Sequence, residues 1–153
     1  MLGKWAIIDL ETTGPSPGED SIIDVGFLKF SGTDYLGHYS SLVRVDQPLS
    51  PFIQKLTGIT DVLLQKAPLW SALEPQLAEL EGHTLVAHNA SFEKSFLDPF
   101  FTRHKLSSSI KYVDSIPFLA LLNPSFKHLS LEHLLLHYKA AEKEQHRGLA
   151  DSM

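Results

Sequence analysis

Apolar and polar positions follow two periods along this chain, and the switch between them divides it. Lys4 to Leu10 is a short, mostly apolar run holding a tryptophan and two isoleucines, which predicts a strand buried on both faces at the centre of a sheet. It gives way to Thr12-Thr13-Gly14-Pro15-Ser16-Pro17-Gly18, a stretch dense in residues that break regular structure. Ser21 to Phe30 and Tyr35 to Val45 carry β-branched and aromatic residues on either side of Ser31-Gly32-Thr33-Asp34, the pattern of an antiparallel hairpin with a short loop. Three strands are therefore expected first.

Helical periodicity takes over afterwards, interrupted at Pro51 and Pro68. A short helix is predicted near Phe52 to Leu56, another from Asp61, and a clearer one over Trp70 to Leu80. Thr84-Leu85-Val86-Ala87 predicts a short buried strand. Ser91 to His104 places Phe92, Phe96, Leu97, Phe100 and Phe101 at helical spacing. Ile110 to Val113 predicts an edge strand with Asp114 or Ser115 capping the helix after it, Leu129 to Tyr138 is strongly helical, and a final helix is expected from near Gly148. The succession predicts an α/β fold with a five-stranded mixed sheet flanked by helices. No repeat, low-complexity segment or linker divides the chain, so residues 1–153 read as a single domain.

Composition narrows the class. A hydrophobic fraction of 43% with 20% charged residues suits a globular domain, and no apolar run approaches the roughly 20 residues that span a bilayer. Asp9 arrives before a signal-peptide core is complete, which predicts a cytoplasmic protein with no membrane partner. There is no cysteine, so a metal must be held by carboxylates and histidines, a donor set that favours hard cations. The formal charge of −5 disfavours a phosphate-rich partner, although two divalent ions would neutralise four such charges.

Three clusters carry candidate chemistry. Residues two apart on a strand share a face, so Asp9 and Glu11 set two carboxylates side by side, about 6.6 Å apart along the chain. A cation between them relieves their repulsion; the plain alternative is a solvated strand end. The second cluster, His88-Asn89-Ala90-Ser91-Phe92-Glu93, lies where a buried strand meets an amphipathic helix. Glu93 falls in that helix's first turn, where it could equally complement the helix dipole, with Asn89 as a nearby cap. Asn89-Ala90-Ser91 also matches a glycosylation acceptor, a chance match in a chain without a secretory signal. The third, His146-Arg147-Gly148-Leu149-Ala150-Asp151, joins an imidazole suited to proton abstraction with another hard oxygen ligand. His133 and His137 are four apart on a helix but lack the His-Glu-x-x-His pattern of zinc enzymes and read as a surface stripe. Asp114 reads as a helix cap.

In order and spacing, the three clusters resemble the DEDD superfamily of 3′-to-5′ exonucleases, of the DnaQ-like type with a histidine base. The family's first motif, Asp-x-Glu-Thr-Thr-Gly, stands intact from Asp9 to Gly14. Its His-Asn-x-x-Phe-Asp is matched from His88 to Phe92, with Glu93 in place of aspartate. His146 to Asp151 fits His-x-x-x-x-Asp, and Leu56-Thr57-Gly58-Ile59-Thr60 resembles the family's His-Gly-Ile-Thr loop with Thr57 replacing the histidine.

The resemblance implies a ribonuclease H-like fold and hydrolysis at the 3′ end of single-stranded DNA or RNA, with two divalent cations, magnesium or manganese. Asp9 would bridge both ions, Glu11 and Asp151 would complete one, Glu93 would serve the other, and His146 would be the general base. Thr12 and Thr13 would bind the terminal sugar through backbone or hydroxyl groups, with Asn89 helping to orient the site. The chain ends two residues past Asp151, where the family continues with a helix, so a truncated domain of a larger protein is expected, with a polymerase or another domain of that protein as its partner. A different reading is a binding or scaffolding module that has kept the fold and lost turnover, consistent with Glu93 and the acidic surface.

Overall fold

The computed structural model describes residues 3–106 and 109–139. Its elements are β1 (Lys4–Thr12), β2 (Ile22–Ser31), β3 (Asp34–Leu42), α1 (Pro51–Thr57), α2 (Asp61–Gln65), α3 (Trp70–Ala78), β4 (Thr84–Ala87), α4 (Ala90–Arg103), β5 (Lys111–Asp114), α5 (Ser115–Leu122) and α6 (Leu131–Tyr138). The strands form one sheet in the order β3-β2-β1-β4-β5. β1 runs antiparallel to β2 and parallel to β4, and β5 runs parallel to β4. The mixed five-stranded sheet predicted from the sequence is thus present, with β5 at an edge.

One face of the sheet meets α3 and α4. Ala6, Ile8 and Leu10 of β1, Val25 and Phe27 of β2, and Leu85 and Ala87 of β4 pack there with Leu73 and Leu77 of α3 and Leu97, Phe100 and Phe101 of α4. A second apolar cluster joins Ile23 to Leu49, Ile53, Ile59 and Leu64, fastening α1 and α2 beside the sheet. Their junction is made by capping. Ser50 accepts from the Ile53 amide, Gly58 ends α1 at φ 69°, and Thr60 accepts from the Leu63 amide to start α2. Thr57, buried, donates to the Ile53 carbonyl and accepts from the Ile59 amide, so its hydroxyl serves this turn.

β1 corrects the sequence reading twice. The strand extends to Thr12, because its pairing with β2 continues through Glu11 opposite Asp24 to a bulge that sets Thr12 against Ile22. It is also fully buried on one face only: Ala6, Ile8, Leu10 and Thr12 are inside, whereas Trp5, Ile7, Asp9 and Glu11 are half-buried. The apolar run concealed an alternation, because Trp5 and Ile7 occupy the half-covered face that ends in the two acids. Among the described residues no helix is long and apolar enough to cross a membrane.

Candidate active site

The half-covered face of β1 leads from Trp5 through Ile7 to Asp9 and Glu11 at the strand's carboxyl end. Asp9 lies opposite Gly26, which places no side chain beside it, and Glu11 lies opposite Asp24. Directly opposed residues of an antiparallel pair share a face, so Asp24 joins the other two carboxylates, at 1% exposure. Each of Asp9, Glu11 and Asp24 is held by interactions within the fold. The sequence reading had passed over Asp24.

The loop after β1 is built around Asp20. Its Oδ2 accepts from the Ser16 amide at 2.9 Å and its Oδ1 from the Thr13 hydroxyl at 2.9 Å. The Asp20 carboxylate lies so close over Gly14 that a Cβ there would stand 2.5 Å from Oδ2, which is the physical reason for glycine at the end of the first motif. Thr13 Oγ1 also accepts from the Ser21 amide at 3.0 Å and from Gln47 Nε2 at 3.1 Å. Thr12, 6% exposed, donates its hydroxyl to the Gly14 carbonyl at 2.6 Å. Both threonine side chains are therefore engaged in shaping the loop.

β4 brings the second motif to the same edge. Ile7 pairs in parallel with Val86, so Asp9 and His88 each stand two residues beyond that pair on neighbouring strands. The chain turns into α4 at Asn89, whose φ of 74° and ψ of 55° are left-handed, a conformation asparagine tolerates better than most residues. Asn89 occupies the cap position without a side-chain capping bond; its Oδ1 instead accepts from Ser91 Oγ at 2.8 Å. Asp114 braces the turn, accepting from the Asn89 amide at 3.2 Å while capping α5 through the Ile116 amide at 2.9 Å. His88 Nε2 lies 2.7 Å from the Leu129 carbonyl, which can only accept, so Nε2 carries a proton; Nδ1 lies 3.0 Å from Ser115 Oγ. The histidine thereby ties β4 to α5 and to the approach of α6.

Glu93 sits in the first turn of α4 at 3% exposure, and its Oε2 has no hydrogen-bond partner among the described residues. Burial pushes its carboxyl from the ordinary 4.5 up to about 7; a backbone hydrogen bond opposes that rise and the charge of Asp114 adds to it. A buried carboxylate with an unsatisfied oxygen is the kind of group a cation would complete, and the hard oxygen donors suit a divalent ion. Even so, no three acidic or histidine side chains among the described residues converge closely enough to hold a metal. The fold brings Asp9 and Glu11 together and leaves Glu93 beside Asp114. His146 and Asp151 lie outside the described residues.

The sheet order, the helices over one face and the acids at the carboxyl edge of β1 define an α/β unit of the ribonuclease H-like class. Escherichia coli exonuclease I in complex with a 5cy-dT13 oligonucleotide shares this fold, with a TM-score of 0.81 over 99% of this chain and 38% of that one at 15% identity. A family model described as an exonuclease of the RNase T type matches residues 6–153, and the chain belongs to that family, in agreement with the DEDD resemblance of its motifs.

Relatives include the PolC-type DNA polymerase III of Bacillus cereus, 32% identical over 150 residues, which are 97% of this chain and 10% of that protein. The 3′-5′ exonuclease DinG of Staphylococcus haemolyticus is 31% identical over 151 residues, 97% of this chain and 17% of its own length. The chain thus spans a small fraction of the curated relatives it matches. Exonuclease X, solved in complex with 5′ overhanging duplex DNA, superposes with a TM-score of 0.72 at 25% identity, covering 97% of this chain and 84% of that one. One Escherichia coli exonuclease I complex with single-stranded DNA is a zinc ion bound form, with a TM-score of 0.78 at 18% identity, over 99% of this chain and 38% of that one.

Proposed function

We propose that this chain is a 3′-to-5′ exonuclease domain that removes nucleoside monophosphates from the 3′ end of single-stranded DNA, working as one unit, residues 1–153, within a larger cytoplasmic replication or repair protein. The observation that carries the reading is the intact first motif, with Asp9 and Glu11 on one sheet face at the edge to which β4 delivers His88 and Glu93. Relatives in which the matching stretch is 10% of a PolC-type polymerase and 17% of DinG support a larger protein as its setting.

Asp9, Glu11, Glu93 and Asp151 are the groups that would hold two divalent cations. Oxygen donors favour magnesium or manganese. Such ions, when bound, supply charge stabilisation at the attacking and leaving oxygens of an in-line displacement. His146 takes the proton of the attacking water as its oxygen bonds to phosphorus; the bond from phosphorus to the 3′ oxygen breaks, and that oxygen leaves with the shortened strand and is protonated by solvent. Thr12 and Thr13, whose hydroxyls are engaged in the loop, would meet the terminal sugar through their backbone, and Asn89 holds the turn that presents Glu93.

The test is release of mononucleotides from 3′-labelled single-stranded oligonucleotides of DNA and RNA, with magnesium, manganese or chelator. Cation-dependent release from DNA is expected. A folded protein that releases nothing with either metal would instead be a binding or scaffolding module, the reading to which the glutamate at position 93 lends weight.

A further inference from the structure

We infer that Asp24 of β2 is a positioning residue of the cation site, a further carboxylate whose charge sets how tightly the acidic face takes a divalent ion. The inference rests on the metal-dependent reading above, but its own observations are register and burial. β2 reads Ile-Ile-Asp-Val from residue 22, and Ile23 and Val25 are both fully buried. Asp24 falls between them, 1% exposed and directly opposite Glu11, two residues along from the glycine that faces Asp9. Held by interactions within the fold, its carboxylate stands directly across the antiparallel pair from that of Glu11. Two further positions along the same face of β2 the sequence does use an apolar residue, Leu28, opposite Ile7. The aspartate is thus confined to the level of the site.

The role we assign to Asp24 is indirect, since it lies across the strand pair from Glu11, one of the residues that would hold the ion. The buried Glu93 Oε2, without a hydrogen-bond partner among the described residues, independently points to a cation at this edge. A carboxylate beside a ligand, withdrawn from solvent screening, acts on such an ion through its field. Removing one such negative charge is expected to weaken divalent binding by about tenfold or more.

The test compares wild type with Asp24→Asn, which keeps the shape and removes the charge, and Asp24→Glu, which keeps the charge. Manganese binding is measured by calorimetry without nucleic acid, alongside the rise in melting temperature that manganese produces and the cation dependence of nucleotide release. Asp24→Asn is expected to raise the manganese dissociation constant by about tenfold or more and to shrink the melting shift, with the effect falling more on the cation concentration for half-maximal rate than on the limiting rate. Asp24→Glu should stay within about threefold of wild type, a rescue that a purely structural role would not give. Should Asp24→Asn fail to fold, Asp24→Ser makes the same comparison.

A folded, charge-free variant that binds manganese as wild type does overturns the inference, as does an Asp24→Glu variant no better than Asp24→Asn. Asp9→Asn separates the two levels. If it loses manganese while Asp24→Asn does not, the assignment of Asp24 fails and the metal-dependent reading stands. If wild type itself neither binds manganese nor gains stability from it, the metal-dependent reading fails as well.

Discussion

Replacing Glu93 with glutamine should stabilise this domain at alkaline pH in the absence of divalent cations. The carboxyl is 3% exposed, and its pKa rises from 4.5 to about 7 on folding, chiefly through burial. Between those values the folded state binds more protons than the unfolded state, so stability falls as pH increases. The favourable contribution is fully present below about pH 4.5 and is lost as pH passes through about 7. The difference corresponds to about 3 kcal/mol, a large share of the roughly 5–15 kcal/mol that holds a domain together. Glutamine removes the titration at nearly constant shape. Urea unfolding in chelator from pH 4.5 to 8.5 should therefore show variant and wild type converging at the acid end. At pH 8 the variant should be ahead by up to about 3 kcal/mol, or roughly 6–12 °C in melting temperature. Manganese should recover the wild type at pH 8 and have less effect on the variant, which lacks the anionic oxygen. Parallel pH profiles for the two proteins in chelator would refute the claim that Glu93 is buried against its own charge.

Asp9→Ala should nearly abolish nucleotide release while leaving the domain folded, because it removes the ligand proposed to be shared by both cations and relieves repulsion on the sheet face; near-normal release at saturating metal would defeat the two-cation assignment. His146→Ala should lower the rate by roughly 100- to 10,000-fold and erase the limb of the pH–rate profile that rises as a histidine loses its proton, so an unchanged profile would exclude His146 as the base. Gly14→Ala should cost about 1–3 kcal/mol in urea unfolding, because the new methyl displaces Asp20 from the Ser16 amide and the Thr13 hydroxyl. Combined with Asp20→Ala it should add little to the cost of that change alone, and full additivity would show that Gly14 matters for another reason.

The order of elements was legible because each signal is local. β-Branched and aromatic residues on either side of a turn give β2 and β3, periodicity gives α4, and the proline and glycine run marks the loop after β1. The two-sided burial expected of β1 was not borne out. A segment such as Trp-Ala-Ile-Ile looks continuous when one face is core and the other is only half covered, and Trp5 and Ile7 occupy the half-covered side. The need for Gly14 was likewise hidden. Its glycine is required by a carboxylate six residues on, which a motif records and local propensity cannot explain. Asp114 was read as a cap, and it is one; that its charge also presses on Glu93 follows only once β5 lies beside β4.

The acids separate what a sequence pattern carries from what register adds. Asp9 and Glu11 announce themselves because two residues make one strand repeat, so a shared face is implied wherever a strand is implied. Asp24 gives no such signal. A single aspartate in Ile-Ile-Asp-Val weakens a strand prediction slightly, and its meaning depends on the antiparallel register that sets it against Glu11 and the bulge that fixes this register just before the loop. Glu93 is intermediate: its place in the first helical turn was legible, whereas its burial depends on α4 lying back across β1 and β4. That burial makes a favourable helix-dipole position a costly one, since the gain from the dipole is about 1 kcal/mol or less and the rise in its pKa corresponds to about 3 kcal/mol. A residue whose charge costs more than its helix returns suits a partner present only when the site is loaded, and the divalent cation we propose is one whose charge would reverse that balance.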